Sequence, residues 1–195
     1  MECQVEKSEV EFIVHLLQQS LALPGDVVEF GAYKGDTSVE LALAMLEHPS
    51  KWLWLYDSFQ GLPAKSKVDH VATRGGRAFT RGALKSRPHD ILRRFKKLRL
   101  PDPVIRAAWF EDLDPNNDLP QAICFAFIDA DFYQSIKTAL ALVAPTLTKN
   151  GIIVVHDFHN PDLPGPALAI QEFLLGQKAF SLKRRGRLAI LTKNH

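Results

Sequence analysis

Four apolar runs in this chain end in residues able to do chemistry. Residues 26–30 (DVVEF) carry Glu29 and lead into Gly31-Ala32-Tyr33-Lys34-Gly35, and 51–56 (KWLWLY) end at Asp57-Ser58. Residues 123–128 (ICFAFI) end at Asp129-Ala130-Asp131, and 152–155 (IIVV) at His156-Asp157. One carboxylate at a strand end is often only a helix cap or a turn residue. Four on one rim mark a site, because open α/β sheets bind ligands beyond the carboxyl ends of their strands. The glycine turn narrows the ligand. Gly31-x-x-x-Gly35 lacks the G-x-G-x-x-G that cradles a dinucleotide pyrophosphate. An acid followed two residues later by glycine suits a ligand with an amino-acid end and no phosphate. Gly31 admits close backbone approach, and Glu29 is near enough to help orient an ammonium group. Asp57, one βα unit on, can accept hydrogen bonds from ribose hydroxyls. The bland reading of both glycines is tight-turn geometry.

These tips need elements to hold them. Val10, Ile13, Val14, Leu17 and Leu21 recur at helical spacing, predicting a helix over 8–21 that Pro24-Gly25 stops. A second helix is predicted over 36–47, with Val39, Leu41, Leu43 and Leu46 inward, and a third over 88–99, with Ile91, Leu92, Phe95 and Leu98 inward. Residues 104–110 form a further strand candidate. Helices over 131–143 and 166–176 and a hairpin pairing 180–183 with 187–191 complete the series, with Pro145 breaking or ending the fourth helix. Asp131 reads better as that helix's N-cap than as a ligand. Continuous apolar strands alternating with helices indicate an α/β fold with a mostly parallel sheet buried on both faces. We read 1–195 as one domain, with an N-terminal helix within 1–24 and a mobile basic loop over 64–87.

The chain has 195 residues, 46% hydrophobic and 24% charged, ordinary values for a globular domain. Its two cysteines build no disulfide framework, and Cys124 reads as a buried thiol. The charged start MECQVEKSEVEF has no signal-peptide core, and no apolar run is long enough to span a membrane. A cytoplasmic location is therefore expected. The net charge of +2 hides an asymmetry: of 24 Lys and Arg, 12 fall between Lys65 and Arg99. An anionic acceptor or a nucleic acid would explain this. A solvated helix face beside a lid is the plainer reading, and the stacking aromatics of a single-strand binder are missing.

The strings GDVVEFGAYKGDTS, LYDSFQGLP, FAFIDADFYQSIKTAL and GIIVVHDF, in that order, resemble the macrocin- and novobiocin-type sugar O-methyltransferases. The resemblance spans roughly 25–175 and implies a Rossmann-like class I methyltransferase fold, seven-stranded with a C-terminal antiparallel hairpin. It implies S-adenosyl-L-methionine as donor, usually a divalent metal (Mg²⁺ or Mn²⁺), and a small hydroxyl-bearing acceptor that is sugar-like or phenolic. By the same resemblance Glu29, Gly31, Ala32 and Tyr33 line the donor's methionine end. Asp57 and Ser58 take the ribose, and Trp109 and Phe110 flank the adenine. The metal would rest on Asp129, His156 and Asp157, with Asp129 also the first candidate for a base.

His156 departs from the family, which usually has an acid there. Three readings stay open: imidazole ligand, catalytic base, or neither, the metal site being lost. An imidazole would favour Mn²⁺, Fe²⁺ or Zn²⁺ relative to Mg²⁺. Tyr133 either faces the pocket or packs, and His159 reads as a surface-loop residue. Relatives tend to carry more sequence ahead of the first strand. The acceptor site is therefore expected to be open or completed by a second subunit in a homo-oligomer. Two rivals remain: a donor-binding partner or regulator without turnover, and a nucleotide-cofactor oxidoreductase, which would need the missing phosphate-binding glycines.

Overall fold

In the structure, a computed structural model that describes residues 5–70 and 79–194, the apolar runs assemble into one seven-stranded sheet. The strands are β1 (Asp26–Phe30), β2 (Leu53–Asp57), β3 (Val104–Ala107), β4 (Ile123–Ile128), β5 (Leu147–Val155), β6 (Phe180–Arg185) and β7 (Leu188–Lys193), in the order β3-β2-β1-β4-β5-β7-β6. The first five pair in parallel, and β7 runs antiparallel between β5 and β6. The helices are α1 (Lys7–Ser20), α2 (Asp36–Ala44), α3 (Pro88–Leu98), α4 (Tyr133–Thr146) and α5 (Gly165–Gly176).

Strand side chains alternate between faces, so each strand feeds two cores. Val27, Leu55, Phe125 and Phe127 pack with Ile13, Leu17, Leu41, Ile91 and Phe95 of α1, α2 and α3. Val28, Phe30, Ala126, Ile128 and Ile153 pack with Ile136, Leu140 and Val143 of α4 and Ile170 of α5. Each fully buried Phe or Leu contributes about 1.5–3 kcal/mol by leaving water. Cys124 lies in β4, fully buried, and burial pushes its thiol pKa up. Among the described residues no helix is long and apolar enough to cross a membrane.

Several element ends differ from the sequence reading. The second helix stops at Ala44, so its buried face runs through Val39, Leu41, Ala42 and Met45. Leu43 and Leu46 are left 43% and 50% exposed. On α3 only Ile91 and Phe95 are buried, while Leu92 and Leu98 look outward. The third strand ends at Ala107, because the chain turns into a short 3₁₀ segment at Phe110–Asp112. Pro145 is accommodated in the last turn of α4. Strand β5 begins at Leu147, with a register shift against β4 and Asn150 in the left-handed region (φ 63°). Within 64–87, Arg74-Gly75-Gly76-Arg77 lie outside the described residues. The preceding part is anchored: Asp69 is buried, accepts the Ser66 N–H and hydroxyl, and accepts the Tyr133 N–H at the start of α4 (2.8 Å).

Candidate active site

The strand order reverses direction between β1 and β4, where such sheets open a crevice. Ladder hydrogen bonds continue past the strand ends there and fix the loops. The Gly31 N–H donates to Tyr56 O (2.8 Å), Asp129 N–H to Phe30 O (2.8 Å) and His156 N–H to Ile128 O (2.9 Å). Gly31 has φ +92°, and a Cβ on it would collide with the Asp129 carbonyl oxygen. Only glycine lets the turn after β1 lie this close to the end of β4.

Two adjoining cavities occupy the crevice. One, of about 240 Å³, is lined by Glu29, Gly31, Ala32, Tyr33, Asp129, Asp131, His156, Asp157 and Arg187, among others. The other, of about 70 Å³, is lined by Gly31, Tyr33, Asp57, Ser58, Trp109, Phe110, Asp129 and Asp131, among others. All eleven residues expected at a site line one cavity or both. Tyr133 does not: its hydroxyl donates to Glu172 on α5 (2.6 Å). His159 is exposed.

Each side chain has a local reason for its position. Glu29 is buried and accepts the Ser38 hydroxyl of α2. Burial, with Asp129, Asp57 and Asp36 nearby, pushes its pKa up to about 8. Asp57 clamps two loops, accepting the Tyr33 N–H (2.8 Å) and the Phe59 N–H (2.7 Å), and holds Tyr33 at φ 47°. Burial raises its pKa against those two bonds. Phe110 packs edge-on against Phe30 at 5.0 Å between ring centroids, closing the floor of the smaller cavity. Asp131 does not cap α4, whose N-cap position is Phe132. Its backbone turns left-handed (φ 58°), which swings it into the crevice beside Asp129. Burial, with Asp129 and Asp157 close by, raises its pKa well above the usual carboxylate range.

The acid rim closes on His156, which is 3% exposed. Its Nδ1 lies 3.0 Å from Asp129 Oδ1 and 3.4 Å from Asp157 Oδ2, and its Nε2 lies 3.2 Å from Glu9 Oε2. Burial works against the imidazolium, but Asp129, Asp157 and Glu9 outweigh it and push the pKa up to about 12. Arg187 ties the rim together, with Nη2 3.1 Å from Glu9 and Nη1 3.6 Å from Asp157. One oxygen of Asp129, one of Asp157 and a His156 nitrogen lie within 4.8 Å of one another.

Sequence reasoning missed Glu9 and Arg187. Glu9 had a faint signal, since it lies four and seven residues before Ile13 and Leu16 on the buried stripe of α1. Arg187, at the hairpin turn, had none.

The sequence profile of the macrocin-O-methyltransferase (TylF) family matches residues 10–179. The chain belongs to that family. It is similar to an 8-demethyl-8-(2,3-dimethoxy-α-L-rhamnosyl)-tetracenomycin-C 4'-O-methyltransferase of Streptomyces olivaceus, 27% identical over 141 residues, which are 70% of this chain and 54% of the relative. The demethyldecarbamoylnovobiocin O-methyltransferase of Streptomyces niveus is 26% identical over 141 residues, 70% of this chain and 53% of that one. The chain thus spans about half the length of these family members. Its fold matches the solved O-methyltransferase NovP with a TM-score of 0.79 at 23% identity, over 95% of this chain and 79% of NovP.

Proposed function

We propose that the chain is an S-adenosylmethionine-dependent O-methyltransferase that methylates a hydroxyl of a sugar-like acceptor, assisted by a divalent cation. The observation that carries this reading is the acid-lined double cavity at the β1–β4 reversal, within a family whose members are named for such transfers.

The donor fits the residues present. A sulfonium and an ammonium are both cations, and the carboxylates of Asp36, Asp129 and Asp157 line the larger cavity beside the carboxyl groups of Glu29 and Asp131. Glu29, Gly31, Ala32 and Tyr33 would hold the methionine end. Asp57 and Ser58 would hold the ribose, with Trp109 and Phe110 against the adenine. When bound, the donor supplies a methyl group on a sulfur that leaves as a neutral thioether.

A divalent cation also fits. The donor set of two carboxylates and one imidazole converges within 4.8 Å, and Glu9 engages the opposite ring nitrogen. That is the carboxylate–histidine arrangement that orients an imidazole toward a metal. Asp129, His156 and Asp157 would be its ligands, and its chemistry there would be to lower the pKa of the acceptor hydroxyl. The base reading of His156 is disfavoured, because both ring nitrogens already face carboxylates and neither is left over for an acceptor hydroxyl. Asp129 lines both cavities, which supports it as the group that accepts the acceptor's proton. Arg187 holds Glu9 and Asp157, so the rim is preorganised before anything binds.

A turnover assay tests the reading. Methyl transfer from S-adenosylmethionine to a rhamnosylated acceptor should fall at least about 100-fold on adding EDTA and recover with Mg²⁺ or Mn²⁺. Asp129→Asn should lose a similar factor while still binding S-adenosylhomocysteine. Donor binding without turnover on any hydroxyl acceptor would make this a donor-binding protein instead.

A further inference from the structure

The amino ends of β2 and β3, opposite the candidate active site, border an unpartnered surface. Seven large apolar side chains are exposed among the described residues, and five of them fall on neighbouring elements: Leu43 and Leu46 on and just past α2, Trp52 ahead of β2, and Leu92 and Leu98 on α3. Such a grouping marks an interaction surface. Trp52 is 58% exposed and lines an apolar groove of about 150 Å³, together with Met45, Leu46, Pro49 and Pro101. The groove is built in advance. The Trp52 N–H donates to Asp26 Oδ1 (3.0 Å), and the Lys51 ammonium donates to the carbonyls of Leu23 (2.6 Å) and Gly25 (2.5 Å). A second groove adjoins it through Asp102, and there Leu92 lies among Arg93, Lys96 and Arg99. The ion pairs of α3 use Arg87, Arg93 and Arg94, which leaves Lys96, Lys97 and Arg99 without one among the described residues. Like charges three or four apart on a helix repel, as Arg93 does Lys96 and Lys97.

We propose that this surface docks an acidic amphipathic helix of another protein, with one large apolar side chain in the Trp52 groove and carboxylates over the C-terminal half of α3. Charge sets the partner's sign, since the second groove holds three cations against one carboxylate, Asp102. Its lysine and arginines would exchange mutual repulsion for charge-assisted hydrogen bonds. Shape sets the partner's class. A preformed apolar groove takes a side-chain anchor, as in helix-in-groove recognition, and Trp and Arg carry much of the binding energy at protein interfaces. A lipid surface would call for apolar side chains projecting from the protein rather than lining a concavity. A single-stranded nucleic acid would call for aromatics spaced along the basic face, where the second groove has only His89. Trp52 and Asp57 lie at opposite ends of β2, so the docked helix leaves the crevice open. The proposal rests on nothing in the methyltransferase reading.

Fluorescence anisotropy tests this with a defined probe: a fluorescein-labelled synthetic peptide of about five helical turns, with Leu and Phe along one stripe and Glu and Asp elsewhere. The wild-type protein should bind it saturably. Trp52→Ala and the double variant K96E/R99E should each weaken binding at least about tenfold. Lys183→Gln, exposed on β6 and away from the grooves, should leave it unchanged. Scrambling the peptide at fixed composition removes the apolar stripe and should weaken binding by a similar factor. Thermal melts like that of the wild type establish that the variants fold. No saturable binding, or binding indifferent to Trp52 or to the scramble, would overturn the proposal and leave α3 a solvated face. Co-sedimentation with phosphatidylserine vesicles without peptide binding would overturn it in favour of a lipid surface, and retention of single-stranded RNA alone in favour of nucleic acid.

Discussion

His156 faces Asp129 and Asp157 through Nδ1 and Glu9 through Nε2, so Glu9 is the group behind the ring that can orient Nδ1 toward the crevice. Glu9→Gln keeps the shape and removes the charge. Its Mn²⁺ affinity, followed by electron paramagnetic resonance, should fall about 10–100-fold; an unchanged affinity would leave Glu9 a packing partner only. Glu29 makes a second case. Its pKa is raised from 4.5 to about 8, so its stabilising neutral form is fully present below pH 4.5 and is lost as pH rises through 8. Glu29→Gln should therefore flatten the stability profile over that window. It should be the more stable protein at pH 8.5 by on the order of 2–4 kcal/mol in denaturant melts, and parallel profiles would contradict this. The residues on the strand tips were legible because an acid after an apolar run is conspicuous. Glu9 was not, because its contact with His156 spans 147 residues of chain and only folding brings the pair together.

Elements were legible where periodicity ran long and illegible at their ends. Helix α2 misled because Leu43 and Leu46 extend an apolar pattern beyond the point where the helix has stopped packing. Asp131 misled because an Asp before a helix usually caps it, whereas a left-handed turn aims this one into the crevice. The sequence after β2 reads as a mobile loop, yet Asp69 reaches the first N–H of α4, a favourable position for a carboxylate at a helix N-terminus. A Cβ on Gly165 would strike that carboxylate, so the start of α5 lies close beside Asp69. Asp69→Ala should cost about 1–3 kcal/mol in thermal or denaturant melts and speed proteolytic cleavage within the loop over 64–87. An unchanged melt would mean that this anchor carries no stability.

At the scale of the whole molecule, α/β alternation predicted a mostly parallel sheet, but the alternation alone does not order its strands. The order β3-β2-β1-β4-β5 sets the ends of β1, β2, β4 and β5 side by side, which turns four separate sequence signals into one rim. The antiparallel β7 then brings Arg187 to the same edge, and α1 brings Glu9, so both termini of the described chain contribute to the rim. Under the proposed function, this rim and its two cavities hold a sulfonium nucleoside. Calorimetric titration with S-adenosylhomocysteine tests it most directly, comparing the wild type with Asp57→Ala and with Lys183→Gln on the far strand. The expected result is saturable one-to-one binding, weakened at least about tenfold by Asp57→Ala and untouched by Lys183→Gln. No binding by the folded wild type, or binding indifferent to Asp57, would contradict the account.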